Sequence, residues 1–444
     1  MSLASTLDRH FALSERGTSI RTEVLAGATT FLTMAYIILV NPSILGLAGM
    51  PVAGVAAATC FAAAFASILM GTIANTPLAL APGMGLNAYF SFTVVQSMHV
   101  PWPVALGCVF VSGGIFLILT LAGIRQMIVA AIPSHLFAAV AAGIGLFIGL
   151  IGLKNGGLVV NSPATGLALG NLHESGPILA IVGLVLVVAL HVWRVNAAIL
   201  IAIAATTVLA WIAGAVSFDV KPYSIAAMTE TVGKLDLGGV FGFGGKAGLG
   251  IFEILFVFLF VDLFDNLGTL MAVTRRAGLI EPAGNIPGLN RMLVADSLAT
   301  MVGAVAGTST VTSYVESASG VEVGGRTGLT AIVTGVLFLA AMFVAPYAQL
   351  VPGAATAPAL ILVGALMMAP LADVEWTDPE DAIPAFLTLA GIPLTFSIAN
   401  GLAFGIVAHA LIKLVRGKIT RKDWLLLVLA GLFIARFVWL SGAA

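Results

Sequence analysis

Apolar runs of about 20 residues, the length a helix needs to cross a bilayer, recur along nearly the whole chain with short polar breaks between them. They predict spans over 24–40 (ending at Asn41-Pro42), 52–74, a short interrupted 78–98, 102–122, 127–152, 177–193 and 195–216. After a more polar stretch at 217–247 the runs resume over 249–273, 289–306, a short one near 310–321, then 327–346, 352–372, 380–397 and 400–415. That makes fourteen. The alternating pattern of a membrane β-barrel is absent, so the expectation is an all-α polytopic membrane protein. Trp424 to Leu440 is long enough for a fifteenth span, but Arg436 interrupts it. An amphipathic helix lying along the interface is the preferred reading of that segment.

Seven spans precede the 217–247 stretch and seven follow it. An odd number in each half gives the halves opposite orientations, the arrangement of inverted repeats. The third span of each half is irregular: Pro77 to Phe92 reads PLALAPGMGLNAYFSF and Val305 to Gly320 reads VAGTSTVTSYVESASG. Non-helical backbone at membrane depth survives only where protein or a cavity satisfies it. Interrupted segments in corresponding positions therefore point to a binding site near the midplane.

Composition and charge add orientation. The chain has 444 residues, of which 60% are hydrophobic and 9% charged, against about 25% charged in a soluble domain. Arg9, Arg16 and Arg21 precede the first span, which places the N-terminus in the cytoplasm by the positive-inside rule. Counting crossings, Arg125, Arg194, Arg275, Arg276, Arg291 and Arg326 fall on that same side. So do Lys413, Arg416, Lys418, Arg421 and Lys422 after the last span. The polar start 1–23 lacks the apolar core of a cleaved signal, so the first span is expected to direct insertion. A formal net charge of −1 gives no reason to expect nucleic acid, and Cys60 and Cys108 read as buried small hydrophobes. The six histidines show no metal-ligand spacing, and no nucleotide-binding or catalytic motif appears, so no enzyme is expected. The acids at Asp373, Glu375, Asp378, Glu380 and Asp381 read as a solvated cytoplasmic loop.

The chemistry sits inside the spans. Phe258 to Arg276 is an apolar helix carrying Asp262 and Asp265 at i and i+3. A carboxylate at that depth costs about 2.5–3.5 kcal/mol on insertion scales and usually faces a bundle interior or polar cavity. Glu316 follows the break of the tenth span, after the hydroxyl-bearing Thr308, Ser309, Thr310, Thr312 and Ser313. Those hydroxyls fit substrate contacts and fit equally the satisfaction of unwound backbone. Asn87 supplies an amide from the other broken span; Phe31, Thr33, Tyr89 and Phe90 complete the candidate set. Acids without Lys or Arg disfavour an anion. They suit a cation, or a planar heterocycle whose edge offers paired N–H donors to a carboxylate and whose faces stack on aromatic rings. Neighbouring buried carboxylates compete for charge, so proton binding at Asp262, Asp265 and Glu316 would be coupled to substrate binding without a cofactor or metal.

Several stretches carry a family resemblance: Gly27 to Pro42 (GATTFLTMAYIILVNP), Ala81 to Phe90 (APGMGLNAYF), Val261 to Leu270 (VDLFDNLGTL), Gly307 to Glu316 (GTSTVTSYVE) and Pro384 to Gly401 (PAFLTLAGIPLTFSIANG). Over nearly its whole length the chain resembles the AzgA-like purine permeases, a branch of the nucleobase–cation symporters with the UraA-like fold. The resemblance implies repeats over 24–216 and 249–416, an extracytoplasmic loop 217–248 and a C-terminal segment 417–444. It further implies a core domain (24–122 plus 249–346), a gate domain (123–216 plus 352–416), and short strands opening spans three and ten. Asp265 and Glu316 fall where that fold carries its substrate-binding acids, and Asp262 belongs to the branch's own pattern. The implied activity is proton-coupled uptake of guanine and hypoxanthine, or adenine, across the cell (inner) membrane. Core would move against gate in an elevator-like cycle, in a homodimer joined through the gates. Sodium coupling, an anion carrier of sulfate or bicarbonate type with the same architecture, and a channel or structural membrane protein are the alternatives.

Overall fold

The computed structural model describes residues 3–123, 133–216, 224–242, 246–279, 286–420 and 423–440. In chain order the helices are α1 (Leu3–Phe11), α2 (Ile20–Met34), α3 (Ile37–Gly46), α4 (Val52–Ile73), α5 (Met84–Ala88), α6 (Trp102–Leu121), α7 (Ser134–Asn155), α8 (Ser175–Val192) and α9 (Ala198–Ile212). There follow α10 (Ile225–Thr229), α11 (Leu237–Gly242), α12 (Lys246–Arg276), α13 (Leu289–Ala306), α14 (Ser317–Glu322), α15 (Gly328–Ala341), α16 (Gly353–Leu366), α17 (Pro379–Leu394), α18 (Ile398–Val415) and α19 (Trp424–Leu440). Among the described residues nine helical segments are long and apolar enough to cross a membrane. With the shorter α9, α15 and α17 and two broken segments, the architecture is the fourteen-segment inverted-repeat bundle expected from the sequence.

The broken segments hold the expected strands. β1 (Leu80–Pro82) leads into α5 and a π-helical stretch Tyr89–Ser97, and β4 (Val311–Ser313) precedes α14. A second ribbon, β2 (Val159–Ser162) with β3 (Gly166–Leu169), lies between α7 and α8 where the hydropathy pattern showed only a polar break.

Small residues set how closely the helices approach, as in other membrane bundles. A Cβ on Gly71 of α4 would lie 2.4 Å from the carbonyl oxygen of Gly328 on α15, so only glycine permits that crossing. Between α7 and α16, a Cβ on Gly145 would lie 2.7 Å from the carbonyl oxygen of Gly364. Within the first half, α4 packs on α3; across the halves it packs on α13 and α15, and α6 packs on α13. A second group forms from α7 with α16 and α17, α8 with α9 and α16, and α17 with α18.

Several boundaries differ from expectation. The first span does not end at Asn41-Pro42. The helix breaks earlier, at Ala35-Tyr36, and restarts as α3, which carries Pro42 in its second turn and continues to Gly46. One proline there removes a single backbone bond, which the helix survives. The polar 1–23 segment is not loose. Phe11 and Leu13 bury against Leu329, and Arg16 donates to the carbonyls of Asn75 and Arg326 at 2.7 and 3.0 Å. Glu23 is fully buried, accepting from the backbone N–H of Arg326 (2.9 Å) and the hydroxyl of Thr330 (2.6 Å) at the start of α15. The loop expected over 217–248 contains α10 and α11, and the long helix already begins at Lys246. Thr231 donates to the Ala306 carbonyl (3.2 Å) and Gly233 N–H to that of Val305 (2.8 Å), fixing this loop to the end of α13.

The helix α19 lays Leu426, Leu429, Ala430 and Phe433 into the core, and Phe433 meets Phe256 of α12 edge-on at 5.2 Å. The acidic run 373–381 is not a plain solvated loop. Asp378 caps α17 through the Glu380 N–H (2.9 Å), and Arg416, by its hydrogen bonds, holds the Asp378 carboxyl below its ordinary pKa. Arg125, Arg421, Lys422 and the start of the fifth span at 127–132 lie outside the described residues.

Candidate functional site

Two three-residue strands cross near the centre of the bundle. β1 and β4 pair antiparallel with Leu80 opposite Ser313, Ala81 opposite Thr312 and Pro82 opposite Val311. The Gly83 N–H donates to the Thr310 carbonyl (2.9 Å) and the Tyr314 N–H to that of Ala79 (3.0 Å), extending the ribbon at both ends. A ribbon this short leaves two edges, and each is satisfied by a hydroxyl from a neighbouring helix. Ser67 of α4 accepts from Leu80 N–H (3.0 Å) and donates to its carbonyl (3.2 Å). Thr300 of α13 donates to the Val311 carbonyl (2.9 Å). α4 and α13 hold the same place in the two halves, so the two edges are closed in the same way.

Beside the crossing lies a cavity of about 550 Å³. One wall is Gly83 and Thr312 from the broken segments with Asp265 and Glu316; the other includes Phe137 of α7 and Val363 of α16. Tyr36, at the break between α2 and α3, donates its hydroxyl to Glu316 Oε1 at 2.7 Å. Thr312 and Ser313 line the cavity, and their hydroxyl oxygens are buried without an intramolecular hydrogen-bond partner. Gly83 is required by close approach. A Cβ there would sit 2.8 Å from Thr312 Cγ2 and 3.7 Å from Asp265 Oδ2. The lining carries three carboxylates, Asp265, Glu316 and Asp373, and no Lys or Arg.

The other candidates lie elsewhere. Asn87, Thr308 and Ser309 belong to a buried network that does not line this cavity. Asn41 Nδ2 donates to Thr59 Oγ1 (2.7 Å) and Thr308 Oγ1 (2.9 Å); Asn87 Nδ2 donates to Asn41 Oδ1 (2.5 Å), and Ser309 donates to Asn87 Oδ1. This arrangement ties α3, α4 and both broken segments together. Thr33 donates to the Thr29 and Thr30 carbonyls of its own helix, at 3.2 and 2.9 Å. Phe31 packs edge-on against Phe338 at 5.1 Å and Tyr89 against Phe258 at 5.3 Å. Phe90 is fully buried, and Asp262, one turn before Asp265, is buried away from the cavity lining.

Sequence reasoning missed Tyr36, Asn41 and Tyr314, whose hydroxyl donates to the Pro82 carbonyl at 2.5 Å. The signal was available: a tyrosine and an asparagine stand inside the apolar run Gly27 to Pro42, where any polar group needs a partner.

A model of the Permease family (Xan_ur_permease) matches residues 21–404. The chain is 45% identical over 435 residues to the adenine permease AdeP of Escherichia coli, covering 98% of this chain and 96% of that protein. It is 44% identical over 443 residues to the guanine/hypoxanthine permease PbuG of Bacillus subtilis, covering 97% and 99%. Among solved structures, the transmembrane domain of a cyanobacterium bicarbonate transporter, BicA, superposes with a TM-score of 0.64 at 16% identity, covering 87% of this chain and 97% of that one. That likeness is one of fold. By sequence, this chain belongs to the Permease family and, within it, to the AzgA-like branch.

Proposed function

We propose that the protein imports purine nucleobases by proton-coupled alternating access, with Asp265 and Glu316 gripping the base. The observation that carries this reading is that both acids, from two segments of the second half, line one cavity at the crossing of strands contributed by the two halves. A purine offers N–H donors along one edge, which suits carboxylate acceptors, while the Thr312 and Ser313 hydroxyls can donate to its ring nitrogens or keto group. The volume lies within the range of small-molecule pockets, about 300–1,000 Å³. An acidic lining with no cation speaks against the anion carrier suggested by fold alone.

Coupling follows from the same groups. Two buried carboxylates at one site do not both ionise freely, so arrival of a base with N–H donors favours the charged forms and changes proton occupancy. Asp262, one helical turn away, is assigned to the proton path rather than to the base. The cavity lies between helices of two packing groups, which supports movement of the group carrying the acids against the group carrying Phe137 and Val363. Inner-membrane placement with a cytoplasmic N-terminus, and a homodimer through the second group, complete the proposal. Uptake of radiolabelled adenine, guanine and hypoxanthine into cells lacking other purine carriers tests it, with a proton uncoupler and sodium removal as the two coupling arms. Uptake that ignores the uncoupler and follows sodium would replace the proton. Transport of an inorganic anion unaffected by purines would replace the whole reading.

A further inference from the structure

Phe396 stands in the turn between α17 and α18 with φ +48°, a backbone region that a bulky side chain rarely adopts. Such a residue persists only where its surroundings hold it, and such residues gather at switch points. Three contacts hold this one. Thr93, in the middle of the π-helical stretch Tyr89–Ser97, donates its hydroxyl to the Phe396 carbonyl at 2.8 Å. The Phe396 ring meets Phe147 of α7 edge-on at 5.6 Å, and Phe147 meets Phe92 of the π-helical stretch edge-on at 6.4 Å. Lys154, in the last turn of α7, holds its ammonium 4.9 Å from the centre of the Phe396 ring. A π-helical run is itself uncommon and is found mostly at functional sites.

These contacts join two bodies. The π-helical stretch packs on α3, α5 and α6, whereas α7, α17 and α18 belong to the second packing group. They also lie far from the mouth of the cavity, where the lining residues Ala272, Leu366, Ala369 and Asp373 are exposed. Asp373 leads into α17 and Phe396 follows it, so a helix of 16 residues, about 24 Å long, separates the two. On α7, Phe137 lines the cavity and Lys154 stands about 25 Å further along the helix. Beyond the cavity on that side, Tyr89, Phe90, Ile144 and Phe147 are buried. The cavity is thus open at one end and sealed at the other, and the seal crosses the boundary between the packing groups. A hydrogen bond between neutral groups and a cation–ring contact are each modest. They can break and re-form, unlike the glycine crossings that fix helices within each group.

We propose that the Thr93–Phe396 hydrogen bond, with Lys154 over the Phe396 ring, is a latch that keeps the end of the cavity away from its mouth shut. Its release is the step that lets that end open. The part it plays in transport rests on the alternating-access reading above.

The test places a reporter, Ala141→Cys, at a half-buried position that lines the cavity and lies outside the latch. Its labelling by a membrane-impermeant maleimide is timed in vesicles of both orientations, so that the reagent reaches either the mouth face or the latch face. Protein carrying only Cys60 and Cys108, both buried, is the blank. The expected result is fast labelling from the mouth face and slow labelling from the latch face. Thr93→Val keeps the shape but loses the donor, and should speed labelling from the latch face about fivefold or more. Thr93→Ser keeps the donor and should label like the parent. Lys154→Met keeps the stem without the charge, should act in the same direction as Thr93→Val, and carries the test if that variant does not fold. Equal labelling of the parent from both faces, an unchanged latch-face rate in Thr93→Val, or an equal rise in Thr93→Ser overturns the proposal. No purine enters the assay, so the latch and the purine reading can fail separately.

Discussion

Glu316 is held by one hydroxyl and faces a cavity, and that combination sets what single substitutions should do. Glu316→Gln and Asp265→Asn keep size but lose the charged acceptor. A hydrogen bond to a charged group contributes about 1.5–3 kcal/mol, so each should weaken purine binding by about tenfold to a hundredfold. Tyr36→Phe removes the donor at 2.7 Å from Glu316 without changing the ring, and should raise the KM for purine with little loss of expressed protein. Concentration-dependent uptake checks all three. By contrast, Asn87→Ala should lower thermal stability more than affinity, because Asn87 hydrogen-bonds Asn41 and Ser309 and does not line the cavity. At this scale the sequence revealed the acids, since a carboxylate in an apolar run stands out. It could not sort hydroxyls and amides, because Thr308 and Thr312 look alike until the structure shows that one is spent on Asn41 and the other has no hydrogen-bond partner in a residue beside the cavity.

The ribbon of β1 and β4 depends on two hydroxyls outside it. Removing Ser67 leaves the Leu80 N–H without a partner at membrane depth, a loss of about 1–3 kcal/mol. Ser67→Ala and Thr300→Val should each lower the melting midpoint, and the pair should cost more than either alone; thermal unfolding by tryptophan fluorescence measures this. Gly83→Ala should act differently. Its Cβ would press on Thr312 at 2.8 Å beside the acids, so transport should fall further than stability. The strands were legible because proline and glycine, then serine and threonine, break the helical pattern in matching places of the two halves. The β2–β3 hairpin and the two short helices α10 and α11 were not, since their sequences are short and mixed; α10 and α11 take their places from packing on the distant α4 and α6. The first helix break was misplaced for a related reason: Pro42 drew attention, while the turn at Ala35-Tyr36 carries no glycine or proline.

Across the whole molecule, the recurring apolar runs, seven in each half, made the architecture legible in advance. What hydropathy cannot show is how one packing group meets the other. Gly85 marks such a meeting, because a Cβ there would lie 2.5 Å from Ile144 Cγ2 of α7. Gly85→Val should wedge the two groups and slow uptake while leaving purine binding to the purified protein largely intact; comparing the two assays checks it.

The last helix depends on a link outside the membrane. Lys413, by its hydrogen bond, holds the Asp423 carboxyl down to about 2, so this contact stabilises α19 above the ordinary aspartate value of about 3.9 and is lost as pH falls towards 2. Asp423→Asn should accelerate protease cutting around 417–423 at neutral pH.

The central claim is that Asp265 and Glu316 hold one purine between them, and ligand-induced thermal stabilisation of the purified protein addresses it without any transport assay. A ligand at 100 times its Kd stabilises the state it binds by about 2.7 kcal/mol, enough to move the melting midpoint clearly. The account predicts that at least one of adenine, guanine and hypoxanthine raises the midpoint of the wild type, that uracil and inorganic anions do not, and that Glu316→Gln and Asp265→Asn each cut the shift to about half or less while melting normally. A purine shift of undiminished size in both variants would contradict it.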